Sequence, residues 1–263
     1  MTLLVADRLN KSFGGVVAAK DVSFAVGAGE LVAIIGPNGA GKSTTFNMIG
    51  GQLIPGSGSV TFDGAVISGM TPRAIWRRGV GRTFQVAQTF VSMTVAENVQ
   101  MALQSVHGES WSLFGTAHTL RRDETGALLD AVGMADEAER PIAELAYGDV
   151  KRVELAIALA SVPKLLLMDE PTAGMAPAER DAMMRLVQRL ARERGIGVLF
   201  TEHDMDAVFA YANRILVLVR GEIVAQGTPE QVRADPLVRR VYLGETGTAA
   251  ADEALRHAAG GGA

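Results

Sequence analysis

The chain has 263 residues, no cysteine and a formal net charge of −4. The missing cysteines exclude disulfide, thiolate and cysteine–zinc chemistry, and the net charge argues against a general nucleic-acid-binding protein. No apolar run approaches the ~20 residues that cross a bilayer, and the N-terminus does not resemble a secretion signal. We therefore expect a soluble protein, consistent with the cytoplasm, that reaches a membrane only through a partner.

The first part of the chain predicts short strands around a glycine-rich loop. Residues 3–7 and 22–26 have the composition of strands, and the turn-like residues 12–15 lie between them. Residues 31–35 form a continuous apolar run, which is typical of a strand buried on both faces. Residues 43–49 predict a helix, and the alternating residues 59–64 predict an edge strand with its turn.

The rest of the chain predicts helices first and then strands again. Strand signals disappear between about residues 93 and 160, which indicates a helical subdomain, about residues 90–160, inserted into an α/β core. After Pro177, apolar residues at helical spacing predict an amphipathic helix; they are Met183, Leu186, Val187 and Leu190. Residues 197–201 and 214–219 predict strands, whereas residues 246–263 have too little apolar bulk to fold and predict a disordered tail after a domain of residues 1–245.

One loop carries a phosphate-binding pattern. It fits G-x-x-x-x-G-K-[ST] and follows a predicted strand, where backbone N–H groups and a helix N-terminus can hold phosphate oxygens. Lys42 is expected to reach the β- and γ-phosphates, and the Ser43 hydroxyl to complete the Mg²⁺ shell. The alternative, a glycine-rich turn with a chance lysine, fits the order of elements less well. The loop consists of Gly36, Pro37, Asn38, Gly39, Ala40, Gly41, Lys42, Ser43 and Thr44.

Charged residues follow two predicted strands. Asp169 and Glu170 come after the apolar residues 165–168, and His203 follows the strand at 197–201. Because ligands lie at the carboxyl ends of parallel strands, we expect Asp169 to hold Mg²⁺ through water and Glu170 to orient or deprotonate the attacking water. His203 can hydrogen-bond a γ-phosphate. Alone, such residues usually form a solvated turn or a helix start; the phosphate loop favours the catalytic interpretation.

These motifs occur in an order that resembles a known family. The phosphate loop, Gln85 after residues 81–84, the segment 145–149, the strand before Glu170, and His203 follow one another. Over about residues 3–244 the chain resembles ATP-binding subunits of ABC transporters, and it is most similar to those of branched-chain amino acid importers. The resemblance implies an α/β fold: a P-loop NTPase core, with a mixed, mainly parallel sheet, flanking helices and an antiparallel β portion, plus an inserted helical subdomain.

The resemblance also implies roles for single residues. Phe13 is expected to stack on adenine; the alternative is a core or hairpin aromatic. Gln85 is expected to contact Mg²⁺ or the attacking water and to relay nucleotide occupancy to the membrane partner. A signature segment is expected to cover the γ-phosphate bound by the opposite subunit of a head-to-tail dimer; it consists of Leu145, Ala146, Tyr147, Gly148 and Asp149.

Three positions depart from the family pattern. Ala146 replaces the usual signature serine, so the hydroxyl contact with the γ-phosphate cannot form. Asp149 stands where glutamine is common; we favour a helix N-cap worth ~1 kcal/mol over a carboxylate that repels the phosphate. Ala176 stands where many relatives have an aspartate, which weakens or alters the positioning of water across the dimer.

The resemblance implies Mg²⁺-dependent ATP hydrolysis that energises a membrane importer for branched-chain or related amino acids. Implied partners are a second copy or a related ABC ATPase, transmembrane permease subunits and, indirectly, a substrate-binding protein, with no nucleic acid. The implied location is the cytoplasmic face of the cell membrane. Two alternatives stay open: a non-transport ABC clamp in DNA repair or translation, and a lipopolysaccharide or lipid exporter ATPase.

Overall fold

The computed structural model describes residues 1–83, 89–107 and 121–239. These parts contain two sheets with helices around them. The strands are β1 (Thr2–Phe13), β2 (Val16–Gly27), β3 (Leu31–Ile35), β4 (Ser57–Phe62), β5 (Ala65–Val66), β6 (Val80–Thr83), β7 (Leu165–Asp169), β8 (Gly197–Thr201), β9 (Arg214–Val219) and β10 (Glu222–Gly227). The helices are α1 (Lys42–Ile49), α2 (Pro72–Arg77), α3 (Val95–His107), α4 (Arg122–Val132), α5 (Tyr147–Leu159), α6 (Pro177–Arg194), α7 (Met205–Tyr211), α8 (Pro229–Ala234) and α9 (Pro236–Val238).

The larger sheet has the strand order β10-β9-β3-β8-β7-β6. Strands β9, β3, β8, β7 and β6 pair in parallel, and only β10 is antiparallel to its neighbour β9. In this register Thr201 lies opposite both Ile34 of β3 and Asp169 of β7. The carboxyl ends of three neighbouring strands therefore meet at one edge of the sheet.

The smaller sheet is antiparallel, with the order β2-β1-β4-β5. Strands β1 and β2 are 12 residues each, much longer than the sequence predicts, because they continue as a hairpin up to the turn at Gly14 and Gly15. The prediction that residues 59–64 form an edge strand is wrong, because β4 has a neighbour on each side. Since the chain reverses at Asp63 and Gly64, both with positive φ, the two-residue β5 covers the outer side of β4.

Each face of the parallel sheet packs against a different layer. Leu31, Ala33 and Ile35 of β3 join a core shared with α3, α4, α5 and α6. Val32 and Ile34 face the other way, into a core shared with the antiparallel sheet and α1. Burial on both faces explains why β3 is uninterrupted apolar sequence, as predicted.

The described part of the region predicted to be helical contains α3, α4, α5 and two short 3₁₀ helices, at Ala135–Glu137 and Ile142–Glu144. Within residues 89–107 and 121–160, the β pairing of this region consists of a single bridge between Thr94 and Pro141. The amphipathic helix after Ala176 is confirmed as α6, and its four predicted apolar residues are buried. The predicted tail at 246–263 lies outside the described residues. In the part of the chain described, no helix is both long and apolar enough to span a bilayer.

The core around β8 makes a direct prediction about stability. Phe200 is fully buried between β3 and β7, so Phe200→Ala should lower the free energy of unfolding by about 3–5 kcal/mol. The measurement is equilibrium unfolding in urea. Ile54→Ala is the matched control: Ile54 is 63% exposed, and its loss should change stability by less than about 0.5 kcal/mol. Equal effects of the two substitutions would contradict this description of the core.

Candidate active site

The phosphate loop follows β3 and leads into α1, as the sequence predicts, and two of its glycines are required by close backbone contacts. A Cβ on Gly36 would lie 2.3 Å from the Leu218 carbonyl oxygen. A Cβ on Gly41, whose φ is +104°, would lie 2.3 Å from the Ala18 carbonyl oxygen. Only glycine lets the loop pack this tightly on β2 and β9. Residues 37–39 are exposed at the loop crest, while Ala40 is buried.

Lys42 places a positive charge inside the loop. Its Nζ donates hydrogen bonds to the carbonyl oxygens of Gly36 at 2.5 Å and Pro37 at 3.2 Å. Burial lowers the pKa of Lys42, whereas the nearby charges of Glu170 and Asp169 oppose that shift. A phosphate bound beside Lys42 would likewise favour its charged form. Lys42 in the phosphate loop is therefore close enough to both predicted carboxylates for their charges to act on it.

Hard oxygen donors suitable for Mg²⁺ lie at the same edge of the sheet. Ser43 is exposed in the first turn of α1, Thr44 next to it is half-buried, and Asp169 is half-buried at the end of β7. Mg²⁺ usually takes only one or two protein oxygens and keeps its other positions for phosphate and water. The hydroxyl of Ser43 and the carboxylate of Asp169 fit that requirement.

Thr201 holds both predicted carboxylate residues at the end of β7. Its Oγ1 donates to Asp169 Oδ1 at 2.7 Å and accepts from the Glu170 backbone N–H at 3.1 Å. The same N–H also donates to the Thr201 carbonyl oxygen at 3.1 Å. Asp169 and Glu170 are thus oriented by the neighbouring strand rather than exposed on a loose turn.

Glu170 and His203 form a direct pair. His203 Nε2 and Glu170 Oε1 are 2.7 Å apart. An ionised carboxylate only accepts, so Nε2 is the donor of this hydrogen bond when Glu170 is ionised. Glu170 also has a φ of +50°, a conformation that costs of order 1–3 kcal/mol in a non-glycine residue and is often found at functional sites. The histidine therefore contacts the predicted general base as well as lying near the loop.

Two residues of this neighbourhood were missed from the sequence. Glu202 is 4% exposed, and its carboxylate accepts hydrogen bonds from Thr172 and from the His203 backbone. Arg82, at the end of β6, donates to Gln52 and Asn47 on the side of α1; burial lowers its pKa, while the charge of Asp169 opposes that shift. The sequence signal for Glu202 was its position next to His203, and the signal for Arg82 was its position in the motif before Gln85.

The signature segment lies at the start of α5, and one prediction about it is wrong. The N-cap of α5 is Ala146, and the helix begins at Tyr147, so Asp149 lies inside the first turn and is not the cap. The Ala146 carbonyl oxygen accepts from the Asp149 and Val150 N–H groups, so the N-cap lies three residues earlier than predicted. Asp149 still benefits from the positive end of the helix dipole.

Other groups surround the beginning of α5. Half-buried Leu145 precedes it, and the Tyr147 ring lies 3.4 Å from the position of a Cβ added to Gly174. A Cβ on Gly148 would lie 3.6–3.8 Å from the Glu179 carboxylate. The Arg140 pKa is raised, first by its hydrogen bond with Glu137 and least by the charge of Asp149. The Tyr147 ring of the signature therefore lies beside Gly174, in the segment that follows Glu170 in the same chain.

The two remaining predicted residues differ in how far the structure describes them. Phe13 ends β1 and is 47% exposed, with the Lys11 ammonium 5.6 Å from its ring centroid. It is thus not a core aromatic. Gln85 lies outside the described residues.

Two family models match this sequence. The model described as ABC transporter matches residues 19–173, which include the phosphate loop, the signature and Glu170. The model described as branched-chain amino acid ATP-binding cassette transporter matches residues 222–248.

Curated relatives align over nearly the whole chain. The high-affinity branched-chain amino acid transport ATP-binding protein BraF of Pseudomonas aeruginosa is 39% identical, over 92% of this chain and 98% of its own. LivG of Escherichia coli, with the same description, is 37% identical over the same shares. The lipopolysaccharide export system ATP-binding protein LptB of Escherichia coli is 36% identical, over 93% of this chain and 98% of its own.

Solved structures agree in fold. An ATP-binding cassette of an ABC transporter in its ADP conformation is 33% identical, with a TM-score of 0.82 over 93% of this chain and 100% of that chain. A dimeric cassette in a post-hydrolysis state, bound to ADP and Pi, is 26% identical, with a TM-score of 0.73 over 86% of this chain and 99% of that chain. Together with the phosphate loop and the Glu170–His203 pair, these matches show that the chain belongs to the ATP-binding proteins of ABC transporters.

Proposed function

We propose that this chain is the ATP-hydrolysing subunit of a membrane importer for branched-chain or related amino acids. The observation that carries the hydrolytic part is the 2.7 Å contact between His203 and Glu170, at the sheet edge that also holds the phosphate loop. The importer part is supported by BraF and LivG, and by the match of residues 222–248 to the branched-chain amino acid family.

Each residue has a definite task in this proposal. The loop N–H groups and Lys42 hold the phosphates of ATP, while exposed Phe13 supports the adenine. Ser43, Asp169 and Gln85 would hold Mg²⁺ directly or through water, and the ion would supply charge neutralisation at the phosphates. Glu170 accepts a proton from the attacking water at its carboxylate, and His203 holds that carboxylate in place. General-base assistance of this kind contributes about 10²–10⁴-fold to rate.

The proposal places each site between two chains. The signature of one subunit, residues 145–149, would cover the γ-phosphate held by the loop of the other, as a homodimer or with a second ABC ATPase. The dimeric cassette among the solved structures supports a paired arrangement. Transmembrane permease subunits, and through them a substrate-binding protein, complete the assembly at the cytoplasmic face of the membrane. We further propose one ATPase domain, residues 1–245, with its helical subdomain at about 90–160 and a tail at 246–263.

A lipopolysaccharide exporter ATPase is the second candidate, because LptB is 36% identical over almost its full length. Uptake of labelled leucine by cells that lack this gene separates the two candidates. The native chain should restore uptake and co-purify with permease subunits from detergent-solubilised membranes. Restored lipopolysaccharide export without any effect on leucine uptake would support the exporter, and co-purified ribosomes or DNA would support a non-transport clamp.

Glu170→Gln tests the proposed base. Glutamine keeps the size and one carbonyl oxygen for His203, but it cannot take a proton, so kcat for ATP should fall about 10²–10⁴-fold. ATP binding should persist, and the variant should accumulate as an ATP-bound dimer in light scattering. Glu193→Gln, an exposed change near the end of α6, should leave kcat unchanged. A native rate in Glu170→Gln would show that Glu170 is not the base.

Asp149→Gln tests the charge in the signature. We expect a change in ATPase rate of less than about twofold, because Arg140 lies near this carboxylate and Glu179 keeps a second one beside Gly148. The free energy of unfolding should fall by about 0.3–1 kcal/mol as the favourable dipole contact is lost. Steady-state ATPase assays and urea unfolding measure the two effects. A several-fold rise in rate would show instead that the Asp149 charge opposes dimer closure.

A further inference from the structure

Glu202 is a buried carboxylate that the proposed reaction does not use. Its Oε1 accepts from the Thr172 backbone N–H at 2.9 Å and from the Thr172 hydroxyl at 2.6 Å. Its Oε2 accepts from the His203 N–H at 3.2 Å. Glu202 is 4% exposed and Thr172 is 3% exposed. A carboxylate removed from water in this way requires partners, and hydrogen bonds to an ionised acceptor are the stronger ones.

Thr172 belongs to the short segment that determines where Glu170 lies. This segment folds on itself, since the Ala173 N–H donates to the Glu170 carbonyl oxygen and the Met175 N–H donates to that of Thr172, both at 3.1 Å. Pro171 lies between Glu170 and Thr172 and has a restricted φ. The backbone at Pro171 therefore cannot rotate freely to compensate for a movement of Thr172, and the movement is passed on to Glu170. Glu202 is therefore attached to the segment two residues after the proposed base.

Three consecutive residues at the end of β8 thus form hydrogen bonds with residues at the end of β7. Thr201 holds Asp169 and the Glu170 N–H, Glu202 holds Thr172, and His203 holds the Glu170 carboxylate. Because Glu170 has a left-handed backbone conformation, which is unfavourable for its side chain, it needs such support on both sides.

We propose that Glu202 and Thr172 are a positioning pair that keeps the Glu170 carboxylate in its productive place against His203. Both residues act through Glu170, so the inference rests on the proposed role of Glu170 as the base. A carboxylate is suited to this position because it accepts on both oxygens. Glutamine would present an NH₂ group, a donor, to either Thr172 or the His203 N–H.

The test compares Thr172→Val, Thr172→Ser and Glu202→Gln. Valine keeps the shape of threonine but removes the hydroxyl bond, so kcat should fall about 10–100-fold through misplacement of the base, with KM for ATP within about twofold. Serine restores the hydroxyl and should return kcat to within about threefold of native. Glu202→Gln should behave like Thr172→Val, and the two changes combined should cost no more than either alone, because they break one unit.

A second measurement separates positioning from a general structural effect. In a Glu170→Gln background, adding Thr172→Val should leave the residual rate unchanged, because there is no base left to misplace. A further tenfold loss in that background would overturn the inference. Glu30→Gln is the matched control: this carboxylate also joins a backbone N–H, of Gly27 at 2.7 Å, and a side-chain donor, Arg214 Nε at 2.9 Å, but at the opposite end of β3. It should keep native kcat.

The outcomes for the proposed function and for this inference differ. Native activity in Glu170→Gln, or no ATPase activity in the native chain, removes the proposed function itself. Loss of activity in Glu170→Gln together with native kcat in Thr172→Val and Glu202→Gln overturns only the positioning pair. If Glu30→Gln lowers kcat as much as Thr172→Val, with equal drops in thermal unfolding midpoint, the effect is structural and the inference is wrong.

Discussion

The site depends on the parallel pairing of β8 between β3 and β7. Thr201 lies opposite Ile34 and Asp169, so the loops that follow the three strands leave the sheet at one level. That register is fixed by burial on both faces, since a shift by one residue would exchange the side chains that face the helices with those that face the antiparallel sheet. The apolar core therefore sets the distance between the phosphate loop and the carboxylates.

Electrostatics explains why the polar groups at this edge are held so firmly. Lys42 is buried near Asp169 and Glu170, and Arg82 is half-buried where the charge of Asp169 acts on it. Burial disfavours the charged form of both cations, and the acidic groups favour it. The carboxylates are in turn held by hydroxyl and N–H donors from the end of β8. Positioned charges of this kind need little rearrangement when a nucleotide arrives, which is the usual basis of electrostatic catalysis.

The features that could be predicted from the sequence are those that depend on residues close together in the chain. The phosphate loop, Asp169, Glu170 and the strand before His203 were predictable, because each lies where a continuous apolar strand ends. Other features depend on partners that are distant in the sequence, and the sequence of a single segment does not show which partner it will have. These features are the full length of β1, the two-residue β5 and the roles of Arg82 and Glu202. The helix start at Tyr147 was missed because Ala146 caps α5 without any side-chain hydrogen bond, whereas Asp149 has the residue type of a cap.

The contacts of the signature give the missing serine a physical meaning. In the proposed dimer, without the hydroxyl of a serine at Ala146, this face would bind phosphate only through backbone N–H groups and the dipole of α5, against the charges of Asp149 and Glu179. On the same face the Tyr147 ring lies beside Gly174, which is two residues after Thr172, the residue that Glu202 holds. In the proposed dimer, a phosphate that draws the signature closer would therefore also act on the segment that carries Glu170. In the proposed dimer, weak binding at the signature and firm support of the base would be complementary, because the base would stay in place while the dimer opens and closes.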